Sequence, residues 1–267
     1  MGRSWRFVAT VASFAVFGVG AVLVSTLFFG ALVLIMPRGA ARQRLARDGV
    51  RMVFRVFLRF MVLLRVLRLD IDREGLARLG AEGGSVIVAN HPTLLDVMVL
   101  LAHVEQAGCV VKHSLWRNPF LSPAIRAANY IPNRDSEQLL RDCDVALKRS
   151  ESLIVFPEAT RSVPGEPLRL QRGAATIALN SDAVLRIVHF KCEPVLLSKG
   201  HPWYRTPKRR PCLAARVGAS VRARQFQGGG VSRNVAARRL TEALQRQLSG
   251  EIPLDARAGT GAQTAAD

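Results

Sequence analysis

Ser85-Val86-Ile87-Val88-Ala89-Asn90-His91-Pro92-Thr93-Leu94-Leu95-Asp96 begins with small and β-branched residues and passes through a histidine, a proline and an acid, and a helical apolar pattern follows from Val97 to Val104. A strand that turns directly into a helix places its corner at the carboxyl edge of a sheet, where α/β proteins hold ligands. His91 and Asp96 are five residues apart. At that separation the carboxylate can reach one imidazole nitrogen while the other faces a substrate, which is the geometry of a base and its orienter. A structural reading fits the same residues. Thr93 can cap the helix, Asp96 three residues on can complete a capping box, and His91 is then a half-exposed loop residue. On this stretch alone both readings stay open.

Working outward, a second apolar run, Ser152-Leu153-Ile154-Val155, leads into Phe156-Pro157-Glu158-Ala159-Thr160-Arg161-Ser162. Strand patterns at Leu69 to Asp72, Cys109 to Lys112, Leu153 to Phe156 and Val184 to Phe190 are separated by helical or loop crossovers. Leu115 to Ala128 reads as a loop with a short helix. Asp135 or Ser136 can cap a helix over Glu137 to Lys148, and Ala174 to Leu179 is helical. Alternation of this kind specifies an α/β fold with a mixed sheet flanked by helices and with its sites along one edge. Gly-containing turns are expected between Asp72 and Ser85. Toward the C-terminus, Ala214 to Arg222 reads as a last strand, Gly228 to Gly230 as a break, and Arg233 to Leu248 as a basic amphipathic helix capped by Ser232.

His91-x4-Asp96 followed by Phe156-Pro-Glu-x-Thr-Arg-Ser162, in that order and each after a strand, resembles the glycerolipid acyltransferase family over about Leu69 to Val195. The resemblance implies an acyltransferase that moves a fatty acyl group from an acyl-CoA or acyl-carrier-protein thioester, as co-substrate, to the hydroxyl of a lysophospholipid such as 1-acylglycerol 3-phosphate. It implies that His91 is the general base, that Asp96 orients it, and that no covalent acyl-enzyme forms. It also implies that Glu158, Thr160, Arg161 and Ser162 bind the glycerol-phosphate portion of the acceptor. Arg134, in Tyr130-Ile131-Pro132-Asn133-Arg134, stands where the family carries a phosphate-contacting arginine. Chemically these assignments are coherent: a neutral imidazole is a competent base near pH 7, and a guanidinium can fork onto a phosphate. Lys112, at a strand end, is a further candidate cation.

Three departures bear on the acceptor. Ala159 replaces the family's usual glycine, which is costly if the backbone there needs positive φ. Residues 130–133 do not follow the usual aromatic, apolar and acidic order. Leu185-Arg186-Ile187-Val188-His189 replaces an apolar-Pro-apolar strand. An acyltransferase of the same family acting on another acceptor, a lyso-aminolipid or specialised lipid, therefore stands beside the lysophosphatidate reading. The alternative from another class is a catalytically silent lipid-binding membrane protein.

Phe7 to Met36 is almost wholly apolar. As a helix it would extend about 45 Å against a hydrocarbon core of about 30 Å, enough for a tilted span or for a re-entrant hairpin bent near Gly18 and Gly20. It is too long for the apolar core of a cleaved signal. Arg38, Arg42, Arg44 and Arg47 outnumber Arg3 and Arg6 before it, and this bias puts the downstream domain on the cytoplasmic face of the membrane. Val50 to Leu69 is a basic amphipathic pattern carrying Arg51, Arg55, Arg59 and Arg65, which suits the headgroup layer; Arg68 falls off its stripe. The expected organisation is a membrane anchor with a basic helix over residues 1–68, an acyltransferase domain over 69–254, and a disordered tail over 255–267.

The 267 residues carry a formal charge of +18. Arginines concentrated beside the apolar segment and in the tail, with three Trp and two Tyr, point to a lipid bilayer, an anionic headgroup and an acidic donor rather than to nucleic acid. Cys109, Cys143, Cys192 and Cys212 are widely spaced and form no Cys-x-x-Cys or Cys/His ligand pattern, so they read as buried or indifferent thiols in a reducing compartment; the histidines show no ligand spacing either, and neither metal nor cofactor is expected.

Overall fold

The computed structural model describes residues 3–250 apart from His201, Trp203, Arg205 and Gly229. The tail expected over 255–267 lies outside the described residues, as does part of the Gly228 to Gly230 break.

The apolar segment is one continuous helical rod. Helix α1 (Arg3–Leu23) passes through a π-helical turn, Val24–Phe29, into α2 (Gly30–Ile35). Ser4 to Ile35 is long and apolar enough to cross a membrane. Gly18 and Gly20 do not bend it; both lie within α1. The reversal comes instead at residues 36–39, after which α3 (Ala40–Leu63) packs back along α1. Gly49 allows this close approach, because a Cβ there would lie 2.7 Å from a ring carbon of Phe28. The basic helix thus starts ten residues before the expected Val50 and ends at Leu63. Arg65 is in a left-handed turn (φ +57°), and Arg68 opens a strand, which explains why it falls off the helical stripe.

The remaining elements follow in the order β1 (Arg68–Ile71), α4 (Arg73–Glu82), β2 (Ser85–Ala89), α5 (Asp96–His103), β3 (Gly108–Lys112), α6 (His113–Trp116), α7 (Ser122–Ala127), β4 (Ile131–Asn133), α8 (Ser136–Lys148), β5 (Leu153–Val155), α9 (Gly173–Asn180), β6 (Val184–Glu193), β7 (Cys212–Arg222) and α10 (Arg233–Leu248). The strand order is β1-β7-β6-β2-β5-β3-β4. Pairings are parallel except between β6 and β7, so the sheet is mixed, as expected. Two elements depart from the sequence reading. α4 occupies the stretch expected to be turns; the Asp72 carboxylate caps it by accepting from Gly75 N, and Leu76 and Leu79 are buried beneath it. β4 is a three-residue edge strand that pattern did not reveal. Ser232 stands at the N-cap of α10 without a side-chain capping bond.

Apolar residues fill both faces of the sheet. Ile87 and Ala89 of β2 face a layer built from α3, α5 and part of the N-terminal rod, while Val86 and Val88 face α8, α9 and α10. All five residues of β2 are buried, the pattern of a central parallel strand. Parallel β2 and β5 end at the same sheet edge, which brings the two quoted sequence stretches side by side.

Candidate active site

Asp96 is the first residue of α5 and is completely buried. Its Oδ2 accepts from Thr93 N at 2.7 Å and lies 3.0 Å from His91 Nδ1, while Oδ1 accepts from Thr93 Oγ1 at 2.6 Å. Thr93 Oγ1 in turn accepts from Leu95 N at 3.1 Å. Both readings of this corner therefore meet in one carboxylate. Its bond to the Thr93 amide is half of a capping box, and its remaining capacity goes to the imidazole. With both oxygens accepting, His91 Nδ1 is assigned the proton, leaving the Nε2 lone pair free. Burial pushes the Asp96 pKa upward, and the bonds from His91 and Thr93 pull it back.

The backbone of His91 is held as firmly as its ring. Its N–H donates to Glu158 Oε1 at 2.8 Å, and its carbonyl accepts from Ser162 N at 2.8 Å. Ser162 Oγ also donates to Glu158 Oε1, at 3.0 Å. Glu158 lies just past β5, so its carboxylate ties the second motif to the first. Burial raises its pKa, opposed by the bonds from Ser162 and His91. The His91 ring stacks on Phe156 with centroids 4.3 Å apart and retains 16 % side-chain exposure.

Arg161 makes no ion pair among the described residues. One terminal nitrogen donates to Leu197 O at 2.8 Å and Ser198 O at 3.4 Å, clamping the segment after β6 over the site. Leu94 N also donates to Leu197 O. A guanidinium has five N–H donors, so this clamp leaves capacity for an anion. Thr160 is exposed beside it. Ala159 adopts φ +57°, the conformation that favours glycine.

Lys112 and Arg134 lie on the same sheet edge but farther along it, at the ends of β3 and β4. At about 4.8 Å per strand they stand roughly 10 Å and 14 Å from the end of β2. Both side chains are exposed. The structure brings His91, Asp96, Glu158 and Ser162 into direct contact, sets Arg161 beside them, and leaves Lys112 and Arg134 outside that bonded cluster.

The sequence reading assigned no role to Asn90 or Phe156. The Asn90 amide donates to Phe190 O at 2.8 Å and accepts from Phe190 N at 2.6 Å, fastening the corner to β6. Both residues stand within the quoted stretches, but their contacts depend on sheet order. Burial pushes the Cys109, Cys143 and Cys192 thiols up to about 12, so none supplies a thiolate near neutral pH. Among the described residues no group of three or more His, Cys, Asp or Glu converges as a metal site.

Residues 70–190 match the family model described as Acyltransferase. Curated relatives include a 1-acyl-sn-glycerol-3-phosphate acyltransferase from Helicobacter pylori, 34 % identical over 103 residues, covering 36 % of this chain and 44 % of the relative. Another, LPAT1 of Arabidopsis thaliana chloroplasts, is 30 % identical over 114 residues, covering 40 % of this chain and 32 % of the relative. A third, from Pseudomonas aeruginosa, is 28 % identical over 152 residues, covering 54 % and 59 %. The matched segments thus span between about a third and three fifths of the relatives' lengths. In fold the chain resembles the crystal structure of PlsC, the 1-acyl-sn-glycerophosphate acyltransferase of Thermotoga maritima, with a TM-score of 0.64 at 18 % identity, covering 93 % of this chain and 100 % of the other. That coverage carries the likeness beyond residues 70–190. The histidine-aspartate corner and its glutamate partner therefore lie within the segment that matches the Acyltransferase model, and in that segment and in its fold the chain resembles the glycerolipid acyltransferases.

Proposed function

We propose that this protein is a membrane-associated O-acyltransferase that transfers a fatty acyl group from an acyl thioester to the free hydroxyl of a lysophospholipid, with 1-acylglycerol 3-phosphate as the reference acceptor. The observation that carries the reading is the fully buried Asp96 carboxylate 3.0 Å from His91 Nδ1 in a corner whose backbone is fixed by Glu158. A buried acid with only a capping task is replaceable by serine or asparagine; one that also grips an imidazole supports a base.

In this mechanism His91 Nε2 takes the proton from the acceptor hydroxyl as its oxygen attacks the thioester carbonyl. Asp96 steadies the imidazolium. The tetrahedral adduct collapses with cleavage of the carbon–sulfur bond, and the leaving thiolate takes the proton back from His91 Nε2. The free donors of Arg161 bind the acceptor's phosphate, and Glu158 and Ser162 keep the second motif in register with the base. Lys112 and Arg134 serve anionic groups farther along the edge, where the donor's phosphates or the acceptor's headgroup extend.

The apolar rod supports a membrane location, since a one-chain acceptor resides in the bilayer. The arginine bias after the rod supports a cytoplasmic position for the catalytic domain. Exposed Leu45, Met52, Val56 and Leu63 fall within about 40° of one another on α3, at about 100° per residue, and give that helix an apolar stripe to lay against lipid.

The test is His91→Ala, assayed for transfer of labelled acyl groups from acyl-CoA and acyl-carrier protein to 1-acylglycerol 3-phosphate and to a panel of other lysolipids. The expected result is loss of transfer with membrane attachment retained. Undiminished transfer by the variant would overturn the assignment of the base. Wild-type protein that binds vesicles but consumes no thioester across the panel would favour the silent lipid-binding alternative.

A further inference from the structure

A groove of about 1030 Å³ runs between α3, α4 and the start of β1, lined by no residue of the catalytic corner. Six arginines line it: Arg51, Arg55, Arg59, Arg68, Arg73 and Arg210. Glu105 is the one acid among its lining residues, and it is bound by Arg51 at 2.5 Å. The next carboxylate along β1, Asp70, is taken by Arg216 at 2.6 Å. Among the described residues that line the groove, six arginines thus share a single acid, Glu105.

The donors are correspondingly underused. Arg51 Nε and Arg210 Nε are both buried with no hydrogen-bond partner among the described residues. Arg210 spends a terminal nitrogen on Val62 O and Leu67 O, closing the C-terminus of α3, and Arg55 Nε donates to Ala102 O at 2.7 Å. Buried polar groups are ordinarily paired, and clustered like charges oppose one another unless an anion sits between them. Burial, with Arg51 and Arg59 alongside, lowers the Arg55 pKa, the electrostatic expression of the same crowding.

Val56 and Leu63 complete one wall, and both belong to the exposed apolar stripe of α3. Trp5 Nε1 donates to Leu64 O at 3.2 Å, so the start of the apolar rod stands beside this end of the groove. An occupant matching these walls presents a multivalent anion next to an apolar body. We propose that the groove binds the headgroup of an anionic phospholipid, separately from the catalytic centre, its phosphate held by the arginines and its acyl chains lying along Val56 and Leu63. The proposal rests on the membrane-associated reading above and adds a discrete lipid site to it.

Full-length protein in neutral detergent micelles is titrated with phosphatidylglycerol, phosphatidylcholine or glycerol phosphate, and bound molecules are counted by native mass spectrometry. One phosphatidylglycerol is expected to bind about tenfold or more tighter than phosphatidylcholine, as charge-assisted bonds to a phosphate and the absence of a neutralising choline require. The double variant Arg55→Gln/Arg73→Gln is expected to lose that preference, and Arg233→Gln/Arg239→Gln, on exposed positions of α10, to keep it. Arg59→Gln, at an exposed position, is expected to weaken the preference about threefold and serves if the double variant does not fold. Equal binding of the two lipids by wild type, or an unchanged preference in the groove variants, would overturn the proposal. Glycerol phosphate binding as tightly as phosphatidylglycerol would also overturn it, by assigning the groove to a free phosphate compound. Flotation with neutral phosphatidylcholine vesicles separates the two readings: failure to float counts against the membrane reading itself, while flotation without headgroup preference counts against the groove alone.

Discussion

Glu158 accepts the backbone N–H of His91 at 2.8 Å, a bond that joins the end of β5 to the end of β2 across the sheet edge. His91, the proposed base, is therefore positioned from two sides, its ring by Asp96 and its main chain by Glu158. These two carboxylates have different tasks, and their substitutions should separate.

Asp96→Asn keeps the volume of the side chain but offers an amide where three donors converge. The imidazole then loses the partner that selects its tautomer and stabilises its charged form. kcat is expected to fall about 10³- to 10⁴-fold, with KM for either substrate changing less than about threefold. Steady-state kinetics on folded variant protein checks this, and a loss of kcat below about tenfold would show that Asp96 does no more than cap α5.

Glu158→Gln should behave differently, because the amide oxygen can still accept from His91 N and Ser162 Oγ. What the variant removes is a buried charge. Burial raises the folded-state pKa of Glu158 above its unfolded value, so the folded state binds a proton more tightly than the unfolded chain does. Wild-type stability contributed by this group is present below about pH 4.3 and is lost as pH rises through the raised folded value. The variant has no such loss. Above that window Glu158→Gln is expected to equal or exceed wild type in stability while transferring acyl groups more slowly; denaturant titrations from pH 4 to pH 8 would expose the opposite slope if it exists.

The corner was legible in the sequence because everything that builds it is local: an apolar run, a proline, and an acid five residues after the histidine. Its union with Glu158 was not a matter of pattern, since it depends on β2 and β5 being neighbours although two strands and four helices intervene in the chain. Helix α4 escaped because Gly75, Gly80, Gly83 and Gly84 lower helix propensity, whereas the helix is held by its Asp72 cap and by burial of Leu76 and Leu79. The apolar run left a tilted span and a hairpin bent near Gly18 and Gly20 both open, and a rod with apolar residues all around has no reason to bend there. It ends where Pro37, Arg38 and Gly39 stop the helix.

Ala159 offers a separate test of how the second motif is held. Its φ of +57° costs an L-residue about 1 kcal/mol that glycine does not incur, and the residue is exposed, so no buried surface is lost on substitution. After allowance for the greater chain entropy of glycine when unfolded, Ala159→Gly is expected to stabilise the protein by about 0.5 kcal/mol, and Ala159→Val to destabilise it by more than about 1 kcal/mol. Equilibrium denaturation of the three proteins decides the order.

Arg47 anchors the helical hairpin to the catalytic sheet. On α3 yet buried, it donates to Glu151 Oε2 at 2.7 Å, to Gln106 O at 2.7 Å and to Ala128 O at 3.1 Å. These partners lie before β5, before β3 and after α7, so one guanidinium holds three loops beneath the sheet's amino edge. Arg47→Met removes the charge while retaining a long apolar stem, leaving Glu151 with Gln43 Nε2 at 2.8 Å as its remaining side-chain donor. Breaking a buried pair from one side costs about 3–5 kcal/mol, because the abandoned charge stays desolvated. Arg47→Met is therefore expected to lose about 3 kcal/mol, and Arg47→Met/Glu151→Gln to recover part of it, since the double variant has no stranded charge. A double variant no more stable than Arg47→Met would assign the loss to the two carbonyl bonds, and the clamp on the loops, rather than the ion pair, would then be what couples the hairpin to the active-site domain.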